Sequence, residues 1–199
     1  LGSVPKTIII KNSATATSWM VYHVTQGATK FLRLNATDAV GTGSTPFNDT
    51  EPTSSVFSVG ANGDTNGSSQ AMIAYCFAEK KGYSKFGKYT GNGNADGTFV
   101  YTGFKPSFII VKKSTGDNWL LNDNKRNPSN LTTINIIPNL NLAEGASSAP
   151  NGNVLDLLSN GFKRRGTDGG SNASGVDYIY MAFAENPIVG SNNVPCTAK

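Results

Sequence analysis

A segment of eight residues occurs twice in this chain and constrains its fold more than any other feature. Tyr178–Glu185 reads Tyr-Ile-Tyr-Met-Ala-Phe-Ala-Glu, and Met72–Glu79 reads Met-Ile-Ala-Tyr-Cys-Phe-Ala-Glu. The closing Phe-Ala-Glu of the two copies is separated by 106 positions. Such a repeat usually marks one supersecondary unit that is used twice and whose copies pack to bury a shared face. We therefore predict an internal duplication.

Shorter matches extend this repeat in the same chain order. They pair Ile8–Lys11 with Ile109–Lys112, Trp19 with Trp119, and Asn-Gly-Ser at 66–68 with Asn-Ala-Ser at 172–174. The first copy departs from the second where Gln70 stands in the region of Gly175, so its loop is expected to differ. The predicted organisation is a single β domain over 1–199, with repeat 1 at about 5–79, a strand-rich bridge at 80–103, repeat 2 at about 105–185 and an irregular tail at 186–199.

The composition favours an all-β fold. Only 38% of the 199 residues are hydrophobic, and the chain has 22 glycines, which is typical of short strands joined by many turns. No segment shows a helical period. Strands at regular turn spacing indicate an antiparallel β-sandwich or a jelly roll.

The strands are predicted from β-branched runs and from alternation of large and polar residues. In repeat 1 they are Lys6–Lys11, Trp19–Val24, Thr29–Leu34, Ser55–Val59 and Ala71–Glu79. In the bridge, Tyr83–Tyr89 and Thr98–Tyr101 are predicted to form a hairpin around the tip at 91–97. In repeat 2 they are Phe108–Lys113, Trp119–Asn122, Thr132–Ile137, Val154–Leu158, Gly161–Arg165 and Tyr178–Glu185, with a tight turn at 159–161.

The sequence offers little for catalysis. His23 is the single histidine, so a Ser-His-acid triad would have to use it, but its place on a strand beside aromatic residues favours a structural role. Glycoside hydrolysis needs two opposed carboxylates, and Glu79 and Glu185 are the one tempting pair. Because each ends an equivalent strand, we interpret them as two copies of one structural position. The chain is expected not to be an enzyme.

No metal or cofactor site is expected either. Asn92, Asn94 and Asp96 resemble the alternating ligands of a calcium loop, but only one is charged and no glutamate follows at the required place. The simpler interpretation is a hairpin tip. One histidine and two distant cysteines, Cys76 and Cys196, argue against a zinc site and give no disulfide framework. A bridge between the two cysteines stays open; Cys76 is expected to act as a small hydrophobic residue in its strand.

Two alternatives remain for a binding surface. Trp19 and Trp119 could serve as sugar-stacking platforms, but their equivalence in the two copies points to matching core anchors. A ligand surface is more readily built from unmatched loops, which are Asn35–Ser55, Gly60–Ser69, Asn139–Asn153 and Asp168–Gly175. The first of these is long enough to be packed or to face a partner.

Charge distribution and hydropathy each argue against one class of partner. The net charge is only +4, and the basic residues are scattered rather than gathered in a stripe, so no nucleic acid is expected. Their densest groups are Lys80-Lys81, Lys112-Lys113 and Lys163-Arg164-Arg165. No apolar run approaches the roughly 20 residues of a membrane span, so no membrane insertion is expected.

Several phrases of the chain together resemble a known repeat domain. They are Pro-Lys-Thr-Ile-Ile-Ile-Lys-Asn (5–12), Gly-Tyr-Ser-Lys-Phe-Gly-Lys-Tyr-Thr-Gly-Asn-Gly (82–93), Asp-Gly-Thr-Phe-Val-Tyr-Thr-Gly-Phe-Lys-Pro (96–106), Leu-Ser-Asn-Gly-Phe-Lys (158–163) and the stretch from Asn-Ala-Ser-Gly to Met-Ala-Phe-Ala-Glu (172–185). This combination resembles the repeat domain at the C-terminal end of virion proteins of tailed bacteriophages, notably marine and cyanobacterial ones, which are described as tail-fibre-like or LamG-like.

The resemblance implies a structural virion protein with lectin-like, concanavalin-like β architecture, located on the phage particle, and it carries over no catalytic residue. The leading expectation is a tail-fibre or appendage domain that contacts a host-surface glycan or protein. Its partners would be other virion proteins and copies of itself, with a homotrimer favoured because symmetric assembly adds avidity. The alternatives are a capsid decoration (cement or head-fibre) protein and a carbohydrate-binding module.

Overall fold

The computed structural model of the chain describes residues 2–144 and 153–186 and confirms the predicted all-β class, with three antiparallel sheets. The chain divides into two compact units, unit 1 at 1–79 and unit 2 at 80–199. The boundary falls directly after Glu79, where the predicted repeat 1 ends. The single-domain organisation stays a prediction, and nearly all of the predicted tail lies outside the described residues.

Unit 1 contains one five-stranded sheet in the order β4-β3-β2-β1-β5. Its elements are β1 (Pro5–Asn12), β2 (Trp19–His23), β3 (Lys30–Arg33), β4 (Gly41–Thr42), α1 (Gly63–Asn66) and β5 (Met72–Ala78). The predicted strands of repeat 1 therefore form with small changes of boundary, with one exception at 55–59.

One face of this sheet forms the core of unit 1. Alternate residues of β1, Ile8 and Ile10, are buried beside Met20 and Tyr22 of β2. The long loop 35–55 packs over this face, because Phe47 meets Tyr22 edge to face at 5.8 Å between ring centroids. Full burial of such side chains contributes about 1.5–3 kcal/mol each. Of the two roles predicted for the loop, the packed one is therefore seen.

A carboxylate fastens the same loop to the sheet. Glu51 Oε2 accepts a hydrogen bond from Tyr22 Oη at 2.5 Å, and Glu51 Oε1 accepts one from the backbone N–H of Ala28 at 2.8 Å. Burial and this carboxylate together raise the pKa of Tyr22. The loop thus supplies both an apolar and a polar contact to β2.

Unit 2 contains two sheets, one in the order β6-β12-β8-β9 and one in the order β10-β11-β7. The elements are β6 (Ser84–Thr90), β7 (Phe99–Tyr101), β8 (Phe108–Lys113), β9 (Trp119–Asp123), β10 (Leu155–Leu158), β11 (Gly161–Arg164), α2 (Gly169–Asn172) and β12 (Asp177–Phe183). Ser159 and Asn160 form the turn between β10 and β11, since Leu158 and Gly161 are directly paired, and this confirms the predicted tight turn.

Both sheets of unit 2 contribute to one core cluster. Ile109 and Tyr178 come from the four-stranded sheet, whereas Leu155 and Phe162 come from the three-stranded sheet, and all four are fully buried. The buried guanidinium of Arg164 lies over the Phe162 ring and donates hydrogen bonds to other buried groups. Phe162 and Arg164 therefore form the buried face of β11.

The two units share a pattern of strand pairing. In β1 and β2, Lys11 is paired with Trp19, and in β8 and β9, Lys112 is paired with Trp119. The first strand of each sheet also pairs with the repeated segment, so β1 lies beside β5 and β8 lies beside β12. A single-turn helix precedes each repeated segment.

Two predicted strands do not form. At the start of 55–59, the Thr53 hydroxyl oxygen accepts hydrogen bonds from the backbone N–H groups of Ser55 and Val56. The backbone N–H of Thr53 also donates to the carbonyl of Val56 at 2.8 Å. This local turn occupies groups that a strand would need for a neighbour. At 132–137, only two isolated bridges occur, Thr132 with Leu155 and Ile136 with Leu121.

The hairpin predicted for the bridge is also wrong. β6 pairs with β12, and β7 pairs with β11, so the two strands belong to different sheets of unit 2. β6 pairs over its whole length with the apolar strand β12, and β7 pairs with β11 through all three of its residues. The short strand β4 was not predicted, because its two residues leave no periodic pattern.

The two single-turn helices were not predicted for the same reason. α1 begins after Asn62, whose side chain accepts from the N–H of Asp64 at 2.8 Å as an N-cap. Four residues are too few to show a helical period. No helix among residues 2–144 and 153–186 is long and apolar enough to cross a membrane.

Candidate functional site

The three-stranded sheet of unit 2 turns one face inward and presents the other as a surface. Asp156, Lys163 and Phe99 are directly paired across β10, β11 and β7, so their side chains form one row on the same face. Their neighbours along the strands, such as Phe162 and Val100, are buried. We call this surface the outer face; its residues are Asp96, Phe99, Tyr101, Asp156, Lys163 and Arg165.

Two aromatic side chains are exposed to solvent on the outer face. Phe99 is 43% exposed and Tyr101 is 64% exposed, and both belong to the edge strand β7. Gly161 is paired with Tyr101, and a Cβ there would lie 3.1 Å from the Phe99 ring and 2.1 Å from the Val100 carbonyl oxygen. Because this glycine has no side chain, β7 lies close to β11 beside the two rings.

An ionic network lies beside these rings. Asp96 Oδ1 lies 2.7 Å from Lys163 Nζ and 3.7 Å from an Nη of Arg165, while Arg165 Nε lies 3.4 Å from Asp156 Oδ2. The hydrogen bond from Lys163 holds the pKa of the Asp96 carboxyl below its usual range. Two carboxylates and two cations are thus arranged in a chain, and each keeps part of its surface in solvent.

The network borders an open concavity of about 630 Å³. It is lined by Ala95, Asp96, Asn130, Leu131, Asp156 and Arg165. Leu131 is 41% exposed and supplies an apolar surface, whereas the amide of Asn130 bonds the backbone of Leu157 in both directions. The concavity therefore combines an apolar patch with carboxylate and guanidinium groups fixed at its rim.

The loop that carries Asp96 is held by hydrogen bonds of amide side chains. Asn92 Oδ1 accepts from the N–H of Asn94 at 3.0 Å, and Asn94 Oδ1 accepts from the N–H of Asp96 at 2.8 Å. The buried Asn172 exchanges hydrogen bonds with Asn92 and also donates to the carbonyls of Asn94 and Gly166. The side-chain oxygens that resemble calcium ligands are therefore occupied by N–H donors. No cluster of three metal-ligating side chains occurs within the described ranges.

Glu185 lies at a second concavity, of about 490 Å³, which Phe108 and Leu121 also line. It pairs with Lys125 and accepts from Asn124 Nδ2 at 3.2 Å. These contacts, Lys125 first, lower the pKa of Glu185. A general acid needs the opposite shift. Glu79, which the sequence analysis interprets as a second copy of the same structural position, is the last residue of unit 1.

His23 is buried on β2, and its Nδ1 accepts from the backbone N–H of Thr25 at 3.3 Å. The Thr25 hydroxyl also lies 2.9 Å from this nitrogen. These local contacts place the ring in a structural setting, as interpreted from the sequence.

The two tryptophans differ in burial. Trp119 is fully buried under Lys112, whose ammonium lies 5.7 Å from the ring centroid, whereas Trp19 is half-buried. Their backbones are held alike, because each N–H donates to a later asparagine, Asn35 for Trp19 and Asn139 for Trp119. The prediction of two matching core anchors therefore applies to Trp119 and only in part to Trp19.

The expectation for Cys76 is wrong. The thiol is exposed on β5 because this strand lies at the edge of its sheet in unit 1. Cys196 lies outside the described residues. Two of the basic groups in the sequence are not basic surface patches as a whole, because Lys112 and Arg164 are buried and only their chain neighbours reach the surface.

The use of the unmatched loops as a ligand surface stays a prediction. Gly60–Ser69 contains α1, Asp168–Gly175 contains α2 and the anchoring Asn172, and most of Asn139–Asn153 lies outside the described residues. Sequence reasoning missed the outer face because β7, which carries its aromatic residues, is far from β10 and β11 in the chain. The available signal was the alternation of Phe99 and Tyr101 around Val100 and of Lys163 and Arg165 around Arg164.

Comparison with known proteins gives one match. A family model with the description Domain of unknown function (DUF7483) matches residues 1–187. No curated protein and no solved structure matches the chain.

Proposed function

Because the chain belongs to the DUF7483 family, whose description names no activity, we propose its function from its surface and from the resemblance stated above. The chain is a non-enzymatic structural component of a bacteriophage virion. It serves as a tail-fibre or appendage domain that contacts glycans of the host surface.

The observation that carries the glycan contact is the outer face of unit 2. Exposed aromatic rings beside fixed carboxylate and guanidinium groups suit a ring-shaped, hydroxyl-rich ligand, because the apolar ring faces of sugars pack on aromatics. Hydroxyl groups can donate to carboxylates and accept from guanidinium N–H groups. Phe99 and Tyr101 offer the first kind of contact, and Asp96, Asp156 and Arg165 offer the second.

The fold supports the lectin-like part of this proposal. The two sheets of unit 2 share one core cluster, which is the arrangement of a β-sandwich. We also infer that units 1 and 2 are copies of one duplicated element. In both units the first strand lies between a hairpin partner and the repeated segment, with matching registers at Ile8 with Cys76 and Ile109 with Ala182.

The glycan contact is tested by binding of the purified chain to an array of bacterial surface glycans. Tyr101→Ala and Phe99→Ala should each weaken binding at least tenfold, because they remove the rings of the outer face. Tyr75→Ala is the matched control, since Tyr75 is also an exposed strand tyrosine but lies in unit 1. Equal loss in all three variants, or no glycan bound by the wild type, would contradict the proposal.

The place on the particle is tested separately by antibody labelling in electron microscopy. Labelling at the tail apparatus is expected. Labelling spread across the head would favour a capsid decoration protein instead, and an unlabelled particle would contradict both virion roles. Light scattering of the native protein should give the mass of a trimer; a monomer that still binds glycan would favour an independent carbohydrate-binding module.

A further inference from the structure

Strand β5 is the outermost strand of the unit 1 sheet and carries exposed apolar side chains. Ile73 is 46% exposed and Tyr75 is 45% exposed, and Ala74 and Cys76 are exposed as well. In the described part of the chain, no strand pairs with the side of β5 that faces away from β1. We call this side of Met72–Cys76 the free edge. Folded proteins usually protect such edges with charges, proline or a covering element, and Met72–Cys76 contains neither charge nor proline.

The corresponding edge in unit 2 is covered. β12 lies between β8 and β6, and β6 pairs with it over seven residues, from Asp177 with Thr90 to Phe183 with Ser84. The counterparts of the exposed β5 residues are also buried in β12, where Tyr180 and Ala182 belong to the core cluster of unit 2. The free edge of β5 is therefore the place that β6 fills on β12.

β5 and β12 differ in the size of one side chain, at the position of Ala74 in β5 and Tyr180 in β12. Gly87 of β6 is paired with Tyr180, and a Cβ at Gly87 would lie 2.7 Å from the Tyr180 hydroxyl oxygen. The glycine is required there because the tyrosine ring fills the space. Ala74 takes the place of Tyr180 in β5, since Ala74 is paired with Ile10 as Tyr180 is paired with Val111. A strand that docks on β5 therefore has room for a large side chain at this position.

We propose that the free edge of β5 is a docking site for an extended strand of another protein chain. That strand pairs antiparallel with Met72–Cys76 in the register of β6 and carries a branched apolar residue where β6 has Gly87. Main-chain hydrogen bonds hold it, and the Ala74 position selects it by size. The proposal rests on strand pairing in unit 1 and not on the glycan contact of unit 2.

The test uses two fluorescent peptides with the sequence of residues 82–91, one unchanged and one with Gly87→Val. The full chain should bind the valine peptide at least tenfold more tightly than the glycine peptide, measured by fluorescence anisotropy. In the chain variant Ala74→Tyr, which restores the arrangement of β12, the preference should reverse. Because the readout is a reversal of preference between two ligands, a general loss of folding cannot produce it.

The reactivity of the Cys76 thiol tests whether the peptide docks at the free edge. In a Cys196→Ser background, the valine peptide should slow the reaction of the Cys76 thiol with a maleimide reagent at least threefold. Failure of the valine peptide to bind, an unchanged preference between the two peptides in Ala74→Tyr, or unchanged thiol reactivity would overturn the proposal. Concentration-dependent dimers that exclude the peptide would overturn it too, because they would show that a second copy occupies the edge.

Discussion

Asn172 shows how one buried amide can organise a surface loop. Its side chain bonds both the backbone and the side chain of Asn92 and the carbonyls of Asn94 and Gly166, and it is fully buried. The loop ends in Asp96, so this amide positions a residue of the outer face from below. Buried polar groups that lose their partner cost about 1–3 kcal/mol each.

Asn172→Ala should therefore lower the free energy of unfolding by about 3 kcal/mol, because the four hydrogen bonds of this buried amide are lost at once. The repeat counterpart Asn66 makes a single side-chain bond, to the Gly60 carbonyl at 3.3 Å, and is exposed. Asn66→Ala is the matched control and should cost less than about 1 kcal/mol. Urea unfolding of the two variants measures the difference; equal costs would contradict this assignment.

Tyr89 makes the fold sensitive to alkaline pH. Complete burial raises its pKa to about 12, although nearby Arg164 acts in the opposite direction. A group whose pKa is raised on folding gives its full stabilisation below its ordinary pKa of about 10 and loses it as the pH rises toward the folded value. The free energy of unfolding should thus fall between pH 10 and 12, by about 3 kcal/mol from this residue.

Tyr89→Phe should make that decline shallower. The variant also loses the hydrogen bond to the Ser171 carbonyl, so it should be less stable than the wild type at pH 8. Denaturant unfolding at several pH values from 8 to 11 separates the two effects. If the free energy of unfolding of the variant fell with pH as steeply as that of the wild type, groups other than Tyr89 would cause the loss of stability at alkaline pH.

At the scale of the elements, close contacts of backbone decide where glycine is needed. Gly91 follows β6, and a Cβ there would lie 2.3 Å from the Ala173 carbonyl oxygen just after α2. Gly169 begins α2, and a Cβ there would meet nothing within 4 Å. Gly91 therefore contacts the C-terminal end of α2 from a neighbouring loop, whereas Gly169 is part of the helix and has open space around it.

Gly91→Ala should lower the free energy of unfolding by about 2–3 kcal/mol, because backbone must move to admit the methyl group. Gly169→Ala should be neutral or slightly stabilising, since alanine favours a helix by up to about 1 kcal/mol over glycine. Thermal unfolding followed by circular dichroism compares them. Equal shifts of the midpoint would contradict the contact at Gly91.

The sequence predicted the strands better than their partners. Periodicity identified β1, β8 and β12 because each alternates or clusters apolar residues over six or more positions. It failed at 55–59, where Thr53 forms a local turn, and at the bridge, where β6 and β7 join different sheets. The outer face depends on that pairing of β7 with β11, which is non-local and leaves no mark within either strand.

At the scale of the whole molecule, each unit has a core cluster of its own among the described residues. Ile10 belongs to the cluster of unit 1, and its counterpart Val111 belongs to the cluster of unit 2. The unit 1 cluster has fewer buried apolar residues, so unit 1 should be the less stable of the two.

Calorimetry should therefore show two transitions. Ile10→Ala should lower the midpoint temperature of the first transition only, and Val111→Ala that of the second only. Each substitution should reduce the free energy of unfolding of its own unit by about 2–4 kcal/mol. A single transition that both variants shift together would support one cooperative domain over the whole chain. Val56→Ala, at an exposed position of unit 1, serves as the control and should shift neither.

The different burial of the two tryptophans gives each half of the protein its own optical reporter. The chain has only these two indoles, one in each unit. Trp119 is shielded and stacked under an ammonium group, while Trp19 is reached by solvent. A quencher in solution should dim the emission of Trp19 first, so substitution of either indole by phenylalanine would let fluorescence follow one half of the molecule at a time.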